Sequence, residues 1–393
     1  LSRDVDNLEA LLSLGALAER EQQAGEQVRW LTQAHDRHPD AIQPVLLLVQ
    51  HYLRAGKTRQ AEKLALELEQ MHPDDPRAQR AVGQTQLAAG KYQQALVTLR
   101  SLVKAVPRSA EAHYLLAMAQ ARLQDRQGTR ESLRQAIALQ ADYPAAQIAL
   151  GKLHIVEKDY TAALAMADTL HRKHPDTAHA DELRGDVYTA RREYKLAHEA
   201  YVQAWDRAAS AQLAEKLFRV RSRAGENEAA RAILGAWLAE SPADVVTRNH
   251  LAAALLSAGH PAQAIEVYLE VLQYDSDNVQ ALNNLAWLYH EQGSQEGLKY
   301  AERAYELVPE RPEVIDTLGW LEVKHGRPNR GLLLLQEAVA KAPRNPGIRY
   351  HMAVALEKSG RRDEALAELD RLLETQVNFP DRTKAQKLRE RLR

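Results

Sequence analysis

Fifteen histidines give this 393-residue sequence candidate zinc ligands and general bases, but their spacing fits neither role. A zinc site with its own base would need two histidines four residues apart on one helix, with Glu after the first. His290 and Glu291 lack the second histidine of that motif. His-Pro-Asp occurs at residues 38–40, 72–74 and 174–176, where Pro would stop one helix and Asp would cap the next. We therefore predict structural roles for these motifs.

The other motifs that could bind a phosphate or a metal are incomplete. Around Gly90 and Lys91, a phosphate loop would need Gly in place of Thr85 and Ser or Thr in place of Tyr92. Residues 275–278 could begin a calcium loop, but its Gly and its closing Glu are missing. The sequence has no Cys, which excludes disulfides, thiolate metal sites and a Cys nucleophile. We predict no catalytic residue, no metal and no cofactor, and we expect that the protein is not an enzyme.

Two tryptophans have a spacing that suits binding rather than catalysis. Trp287 and Trp320 are 33 residues apart, and each follows a leucine, Leu285 or Leu318, by two positions. If the two segments are equivalent helices, both indoles point to the same side. We therefore expect two exposed indoles that are neighbours.

Three further side chains share the column of these tryptophans. Asn283 and Asp316 are equivalent positions one helical turn earlier, and Tyr350 has the same position in the next segment. An aromatic floor rimmed by an amide and a carboxylate suits a peptide or a sugar ring. These five residues are the predicted partner-binding groove. The alternative is that both indoles pack against neighbouring helices, as apolar residues at helical spacing usually do.

The elements that would position these residues follow from a fixed period. Pro39, Pro73 and Pro107 are each 34 residues apart, and so are Pro309 and Pro343. Most periods contain an apolar-periodic stretch, a glycine that ends it, a second such stretch and a proline. The pattern predicts pairs of short helices.

Small residues recur where the two helices of a pair would cross. Gly185 in the first helix and Ala197 in the second are one example. Because helices approach closely only where neither carries bulk, we expect these positions to lie at the crossing. Eleven repeats are predicted, beginning at Leu8, Ile42, Pro76, Ala110, Pro144, Ala178, Gln212, Val245, Val279, Pro312 and Pro346.

Composition agrees with helices and limits the kinds of partner. Aromatic residues make up only 5% of the sequence, so any core is built mainly from Ala and Leu. The 52 Lys and Arg balance the 53 Asp and Glu, so no global field attracts nucleic acid or an anionic membrane. The sequence contains no run of eighteen apolar residues, so we expect no segment that spans a bilayer. Because the sequence begins at Leu1, without Met or a leader, we expect a processed form or a fragment.

The repeated segments match the tetratricopeptide pattern, in which Leu-Gly and an aromatic residue are followed by Ala, an aromatic residue and Pro. Residues 185–188 with Ala197 and Tyr201, and residues 318–320 with Pro343, carry it most clearly. The sequence therefore resembles tetratricopeptide repeat proteins over nearly its whole length. The resemblance implies an all-α fold, a right-handed α-solenoid or superhelix of about eleven helix-turn-helix units. First helices would line a concave groove that holds other proteins.

Two repeats depart from this pattern. One has Phe218 and Arg219 in place of Leu-Gly, and another has lost a residue before Gly297. We expect a local change in curvature at both. The predicted boundaries are 1–7 for a remnant of a preceding repeat or an N-terminal extension, 8–379 for eleven repeats, and 380–393 for a C-terminal capping helix.

The C-terminal third has a closer resemblance. Residues 282–289, 301–307, 316–320 and 348–356 are similar to the tetratricopeptide lipoproteins of exosortase (PEP-CTERM) and exopolysaccharide gene clusters. Membership would imply a lipid-anchored envelope protein that works beside polysaccharide secretion in a Gram-negative cell. The anchoring Cys is absent here, which would mean that the N-terminal part was removed.

The sequence thus predicts a non-enzymatic scaffold for protein–protein interaction, periplasmic and outer-membrane associated, in exopolysaccharide export or exosortase-type protein sorting. Its expected partners are other proteins and, in one alternative, polysaccharide; nucleic acid is not expected, and membrane contact would need the absent lipid anchor. Three alternatives stay open: the periplasmic adaptor of a cellulose-like secretion porin, a carbohydrate-binding module, and a cytoplasmic assembly factor, whose expected cysteines are missing. Binding of a chaperone tail is disfavoured, because Asn283 and Asn284 lack in-phase Lys partners.

Overall fold

Helix pairs are the repeating element of the structure. The computed structural model describes residues 7–374 and 379–393, and within these ranges it contains 23 α-helices and no strand. The prediction of an all-α solenoid built from helix pairs is confirmed. Of the predicted N-terminal remnant, residues 1–6 lie outside the described residues, and Asn7 caps the first helix by accepting a hydrogen bond from the Ala10 amide.

The helices form two compact units, which meet in sequence between Ala208 and Ala209. Unit 1 contains α1 (Leu8–Arg20), α2 (Ala24–Arg37), α3 (Ile42–Arg54), α4 (Thr58–Met71), α5 (Pro76–Ala88), α6 (Tyr92–Ala105), α7 (Ala110–Arg122), α8 (Arg126–Leu139), α9 (Pro144–Val156), α10 (Tyr160–Lys173), α11 (His179–Ala190) and α12 (Tyr194–Arg207). Unit 2 contains α13 (Ala211–Arg223), α14 (Asn227–Glu240), α15 (Val245–Ser257), α16 (Pro261–Tyr274), α17 (Val279–Glu291), α18 (Glu296–Leu307), α19 (Pro312–Lys324), α20 (Pro328–Lys341), α21 (Pro346–Lys358), α22 (Arg362–Glu374) and α23 (Arg382–Leu392).

Local sequence explains where the helices begin and end. Asp75 accepts a hydrogen bond from the Arg77 amide, and Pro76 then takes the first position of α5, where its missing N–H costs nothing. Between the two helices of a pair, Gly56 has a φ of 68°, which suits a residue without a Cβ. The equivalent turn after α9 is held by Lys158 at a φ of 62°. The turn is therefore required by the helix pair even where glycine is absent.

The predicted crossing point inside a pair is seen directly at Gly185. A Cβ placed on this residue would lie 2.3 Å from Cε1 of Tyr201, on the second helix of the same pair. At Gly331 in α20, a Cβ would lie 2.5 Å from the carbonyl oxygen of Gly319 in α19. The two helices of a pair therefore touch almost backbone to backbone, which a larger residue would prevent.

The core of each unit is layered, because helix pairs within a unit bury apolar side chains against neighbouring pairs. In unit 1 each of five second helices contributes at least one fully buried leucine: Leu31, Leu68, Leu99, Leu102, Leu133 and Leu170. Separate apolar clusters follow each other along the chain, one spanning α3 to α5 and another α7 to α9. Such a stack is stabilised by contacts between neighbours rather than by one centre.

Two helices begin one residue away from the predicted repeat start, α11 at His179 and α13. Helix α13 begins at Ala211, one residue before the predicted repeat start at Gln212. Counted from the helix start, Phe218 takes the place that Ala252 has in α15, where most repeats carry a small residue. Phe218 is only half-buried, and it lines a cavity of about 520 Å³ between α13 and α15. The expected change of curvature stays a prediction.

Helix α23 closes the C-terminal end of unit 2. Ala385, Leu388 and Leu392 are buried in the same apolar cluster as α21 and α22. The Arg362 guanidinium donates to the Leu392 carbonyl over 2.9 Å. The described helices include none that is both long and apolar enough to cross a membrane.

Candidate partner-binding site

The five predicted groove residues lie on three successive first helices of unit 2. Asn283 and Trp287 are on α17, Asp316 and Trp320 are on α19, and Tyr350 is on α21. The two indoles meet at a residue that was not predicted, His351. Its ring centre lies 4.1 Å from that of Trp320 and 5.8 Å from that of Trp287. We call Trp287, Trp320 and His351 the tryptophan–histidine cluster.

The expectation that both indoles are exposed is wrong for Trp320, which is only 7% exposed. The His351 ring stacks on this indole at an interplanar angle of 27°, and the Lys324 ammonium nitrogen lies 4.3 Å from the ring centre. His351, on α21, therefore covers one face of the indole. Trp320 is therefore part of the core of unit 2.

Asp316 is not the free rim carboxylate that the sequence predicted. It is buried, and His351 Nδ1 donates to its two carboxylate oxygens over 2.8 and 3.0 Å. A buried carboxylate needs such a partner, because leaving it unpaired is costly. The hydrogen bonds between His351 and Asp316 hold the imidazole ring in its stacked position on Trp320.

Tyr350 is also withdrawn from the surface. It is buried, with its ring centre 6.3 Å from that of Trp320. Burial raises the pKa of the Tyr350 hydroxyl, and the nearby Asp381 carboxylate raises it further. The prediction that Tyr350 lies in an open groove is wrong, because it packs in the apolar cluster that α23 completes.

Trp287 and Asn283 remain the accessible part of the predicted site. Both are half-buried. Trp287 Nε1 donates to Thr317 Oγ1 over 3.0 Å, and the indole packs edge-on to His290 with ring centres 6.3 Å apart. Trp287 is therefore held in one orientation while part of its surface meets solvent, which suits a recognition contact.

Among the described residues, the contacts of this cluster do not form a complete nucleophilic triad. A histidine oriented by a carboxylate is half of a nucleophilic triad, which also needs a hydroxyl or thiol on the other nitrogen. The Thr317 hydroxyl accepts from Trp287 and donates to the Glu313 carbonyl over 2.9 Å, so it is committed elsewhere. No three His, Asp or Glu side chains of the described ranges are grouped so that they could hold a metal ion.

His290, beside the cluster, responds to burial. Burial lowers the pKa of its imidazole below the ordinary value of 6.5; Glu291 raises it, while Lys324 and His325 lower it further. The folded state thus favours neutral His290. Well above pH 6.5 both states are neutral and this stabilisation is complete, whereas as the pH falls through 6.5 the unfolded chain takes up the proton first.

We therefore expect acid to destabilise unit 2 partly through His290. Thermal melts between pH 7.5 and 5.5 should show a smaller acid-induced drop in Tm for His290→Gln than for the wild type. The matched control is His260→Gln, because His260 is an exposed histidine of the same unit. An acid-induced drop of the same size in His290→Gln and the wild type would contradict this expectation.

Sequence reasoning missed His351 and a second surface. His351 follows Tyr350 by one residue, so it is not equivalent to the positions that were compared and the comparison did not identify it. In unit 1 a cavity of about 810 Å³ lies between α7 and α9. The sequence contained a signal for this cavity. Tyr114 and Ile148, which both line it, are 34 residues apart and have equivalent positions in their repeats.

Comparison with protein families agrees with this architecture. Tetratricopeptide repeat models match residues 7–85, 322–392 and 249–312, and a tetratricopeptide repeat-like domain model matches residues 102–224. Together these matches cover most of the chain. The chain is a tetratricopeptide repeat protein. As such it has the architecture of a scaffold for protein–protein interaction.

Two solved structures that are similar to this tetratricopeptide repeat protein are remote from it in sequence. The crystal structure of the APC/C hetero-tetramer Cut9-Hcn1 matches at 12% identity and a TM-score of 0.45, over 98% of this chain and 96% of that chain. MamA 41-end from Desulfovibrio magneticus RS-1 matches at 19% identity and a TM-score of 0.38, over 42% of this chain and 96% of that chain. No curated protein matches this chain.

Proposed function

We propose that this protein is a non-enzymatic scaffold that holds a partner protein on the first-helix face of unit 2, with Trp287 as the main contact. The observation that carries the proposal is the half-buried indole of Trp287, fixed by its bond to Thr317 and backed by the ring of His351. A pre-oriented indole offers a large contact area and loses little conformational entropy when a partner covers it.

Asn283 supplies a polar group beside this indole. It lies one helical turn before Trp287 on α17 and is half-buried. Its Oδ1 is covered and has no hydrogen-bond partner among the described residues, which is an unfavourable state for a buried oxygen. A small rotation of the side chain would bring this oxygen to a donor on the partner. Apolar and polar contacts would then be adjacent, as in the centre of protein interfaces.

The setting that we propose is the bacterial cell envelope, in the periplasm and associated with the outer membrane. There the scaffold would serve exopolysaccharide export or exosortase-type protein sorting. Support comes from the resemblance of residues 281–373 to lipoproteins of those gene clusters. The membrane contact of such a protein would be made by a lipid anchor, for which this sequence contains no Cys.

Trp287→Ala tests the proposal. We expect at least a tenfold loss of affinity for the partner, because central aromatic contacts dominate interface energies. The free energy of unfolding should fall by only about 1 to 2 kcal/mol, since the lost side chain is half-buried and has one hydrogen bond. Quantitative capture from envelope extract, followed by urea unfolding of the same samples, measures both effects.

Trp30→Ala is the matched control, because Trp30 is a half-buried tryptophan of a second helix in unit 1. It should leave partner capture unchanged. If Trp287→Ala abolishes retention of purified exopolysaccharide instead of a protein, the carbohydrate-binding alternative replaces the scaffold. If it changes neither, the site is wrong.

A further inference from the structure

The cavity between α7 and α9 in unit 1 has an apolar floor. Tyr114 and Met118 contribute from α7, and Ile148, Leu153 and Val156 contribute from α9. Val156 is 57% exposed, which is a large exposed fraction for a valine at the edge of a cavity of about 810 Å³. The side chains of two first helices therefore leave apolar surface without a cover.

The rim of this cavity is positively charged. Arg122, Arg126 and Lys152 line it, all three are exposed, and the lining contains no Asp or Glu. None of the three has a carboxylate within ion-pair distance among the described residues. Arg122 lies 5.9 Å from the ring centre of Tyr92, so one of its faces contacts an aromatic ring rather than an anion.

Three carboxylates on or beside α7 and α9 already have other partners. Glu111 accepts from Arg80 over 2.7 Å, Glu157 pairs with Arg130, and Asp125 caps α8 by accepting from the Gly128 amide over 2.9 Å. The three rim cations thus present a field that no acidic group of the lining neutralises.

The dimensions of the cavity fit a short stretch of extended chain. Its lining on α9 runs from Ala145 to Val156, which at 1.5 Å per residue is about 16 Å. An extended peptide rises about 3.3 Å per residue, so about five residues would lie along this length. An apolar floor with a charged rim matches a peptide with one apolar side chain between acidic ones.

We propose that the α7–α9 cavity of unit 1 binds an extended acidic segment of a partner protein, with an aliphatic side chain on the floor and carboxylates on Arg122, Arg126 and Lys152. The site is separate from the tryptophan–histidine cluster, so either can fail without the other. With both sites in use, one chain would hold two different segments. The floor offers the single aromatic ring of Tyr114, which is too little stacking surface for successive bases of a single-stranded nucleic acid.

The probe is the fluorescein-labelled peptide acetyl-Glu-Glu-Leu-Glu-Glu, and its binding to the full chain is measured by fluorescence anisotropy at 50 mM NaCl. We expect Lys152→Glu to raise Kd at least tenfold and Val156→Asp at least fivefold. Replacing the Leu of the peptide with Gly should weaken binding at least fivefold, and a peptide with Lys in place of every Glu should not bind. Circular dichroism checks that the variants are folded.

Two substitutions of the same kind outside the cavity serve as controls. Val97→Asp replaces a valine that is 64% exposed on α6, and Arg59→Glu reverses an exposed charge on α4. Both should leave Kd within twofold of the wild type. Absence of peptide binding, equal losses in the controls, or equal binding of the Gly peptide would overturn the proposal. Tighter binding of phosphatidylglycerol vesicles or oligo-dT through Lys152 would also overturn it.

Discussion

Replacing Trp320 with Ala is expected to lower the free energy of unfolding by about 3 to 5 kcal/mol, the range for a large aromatic side chain removed from a core. The loss has two physical sources. The indole is almost fully buried, and its removal leaves a cavity between α19 and α21. It also takes away the ring on which His351 stacks, so the bond between His351 and Asp316 loses its support.

Urea unfolding monitored by circular dichroism measures this effect without relying on tryptophan fluorescence. Trp320→Phe is the matched variant, because a smaller ring keeps part of the stacking on His351, and we expect less than half of the loss. A change below about 1 kcal/mol for Trp320→Ala would mean that the indole is not part of the core. Trp287→Ala and Trp320→Ala should thus separate recognition from stability.

Gly185→Leu is expected to lower the free energy of unfolding of unit 1 by about 2 to 3 kcal/mol through overpacking. The Cβ alone would lie 2.3 Å from Cε1 of Tyr201, well inside contact distance. Tyr201 cannot simply turn away, because its hydroxyl donates to Asp186 over 2.7 Å. The two helices of the pair must therefore move apart or lose this bond.

The control for this substitution is Gly235→Leu, since Gly235 is also a helical glycine and a Cβ there meets nothing within 4 Å. That change should be neutral or stabilise by up to about 1 kcal/mol, because Leu favours a helix more than Gly does. Thermal and urea unfolding of both variants supply the comparison. Equal melting curves for Gly185→Leu and the wild type would place the helix crossing elsewhere.

Periodicity was sufficient to predict the fold and the close approach at Gly185. A period of 34 with Pro and Gly at fixed places constrains where each helix begins, ends and meets its partner. These are local properties, set by residues in the same helix pair. The turn residues Gln124, Lys158 and Arg192 also adopt positive φ, and sequence could not reveal this, because the neighbouring helices impose it.

The state of the predicted site depended on contacts between pairs, which periodicity does not describe. Comparing equivalent positions of successive first helices shows on which side of α19 Trp320 lies. It does not show which side chain of the next first helix covers Trp320. His351 covers Trp320, while Trp287 keeps part of its surface. The predicted position of Phe218 within its repeat was wrong by one residue. Helix α13 begins one residue earlier than predicted, which changes the residue that lies at the helix crossing.

The layered core also has a consequence for how this protein can evolve. Among the described residues of unit 1, each apolar cluster spans only neighbouring helix pairs, so a tandem duplication of 34 codons within this unit would add one pair without rebuilding the rest. Such a change would alter the number of helix pairs in unit 1 and leave the lining of the α7–α9 cavity unchanged. Unit 1 can therefore change in length during evolution while this surface is kept.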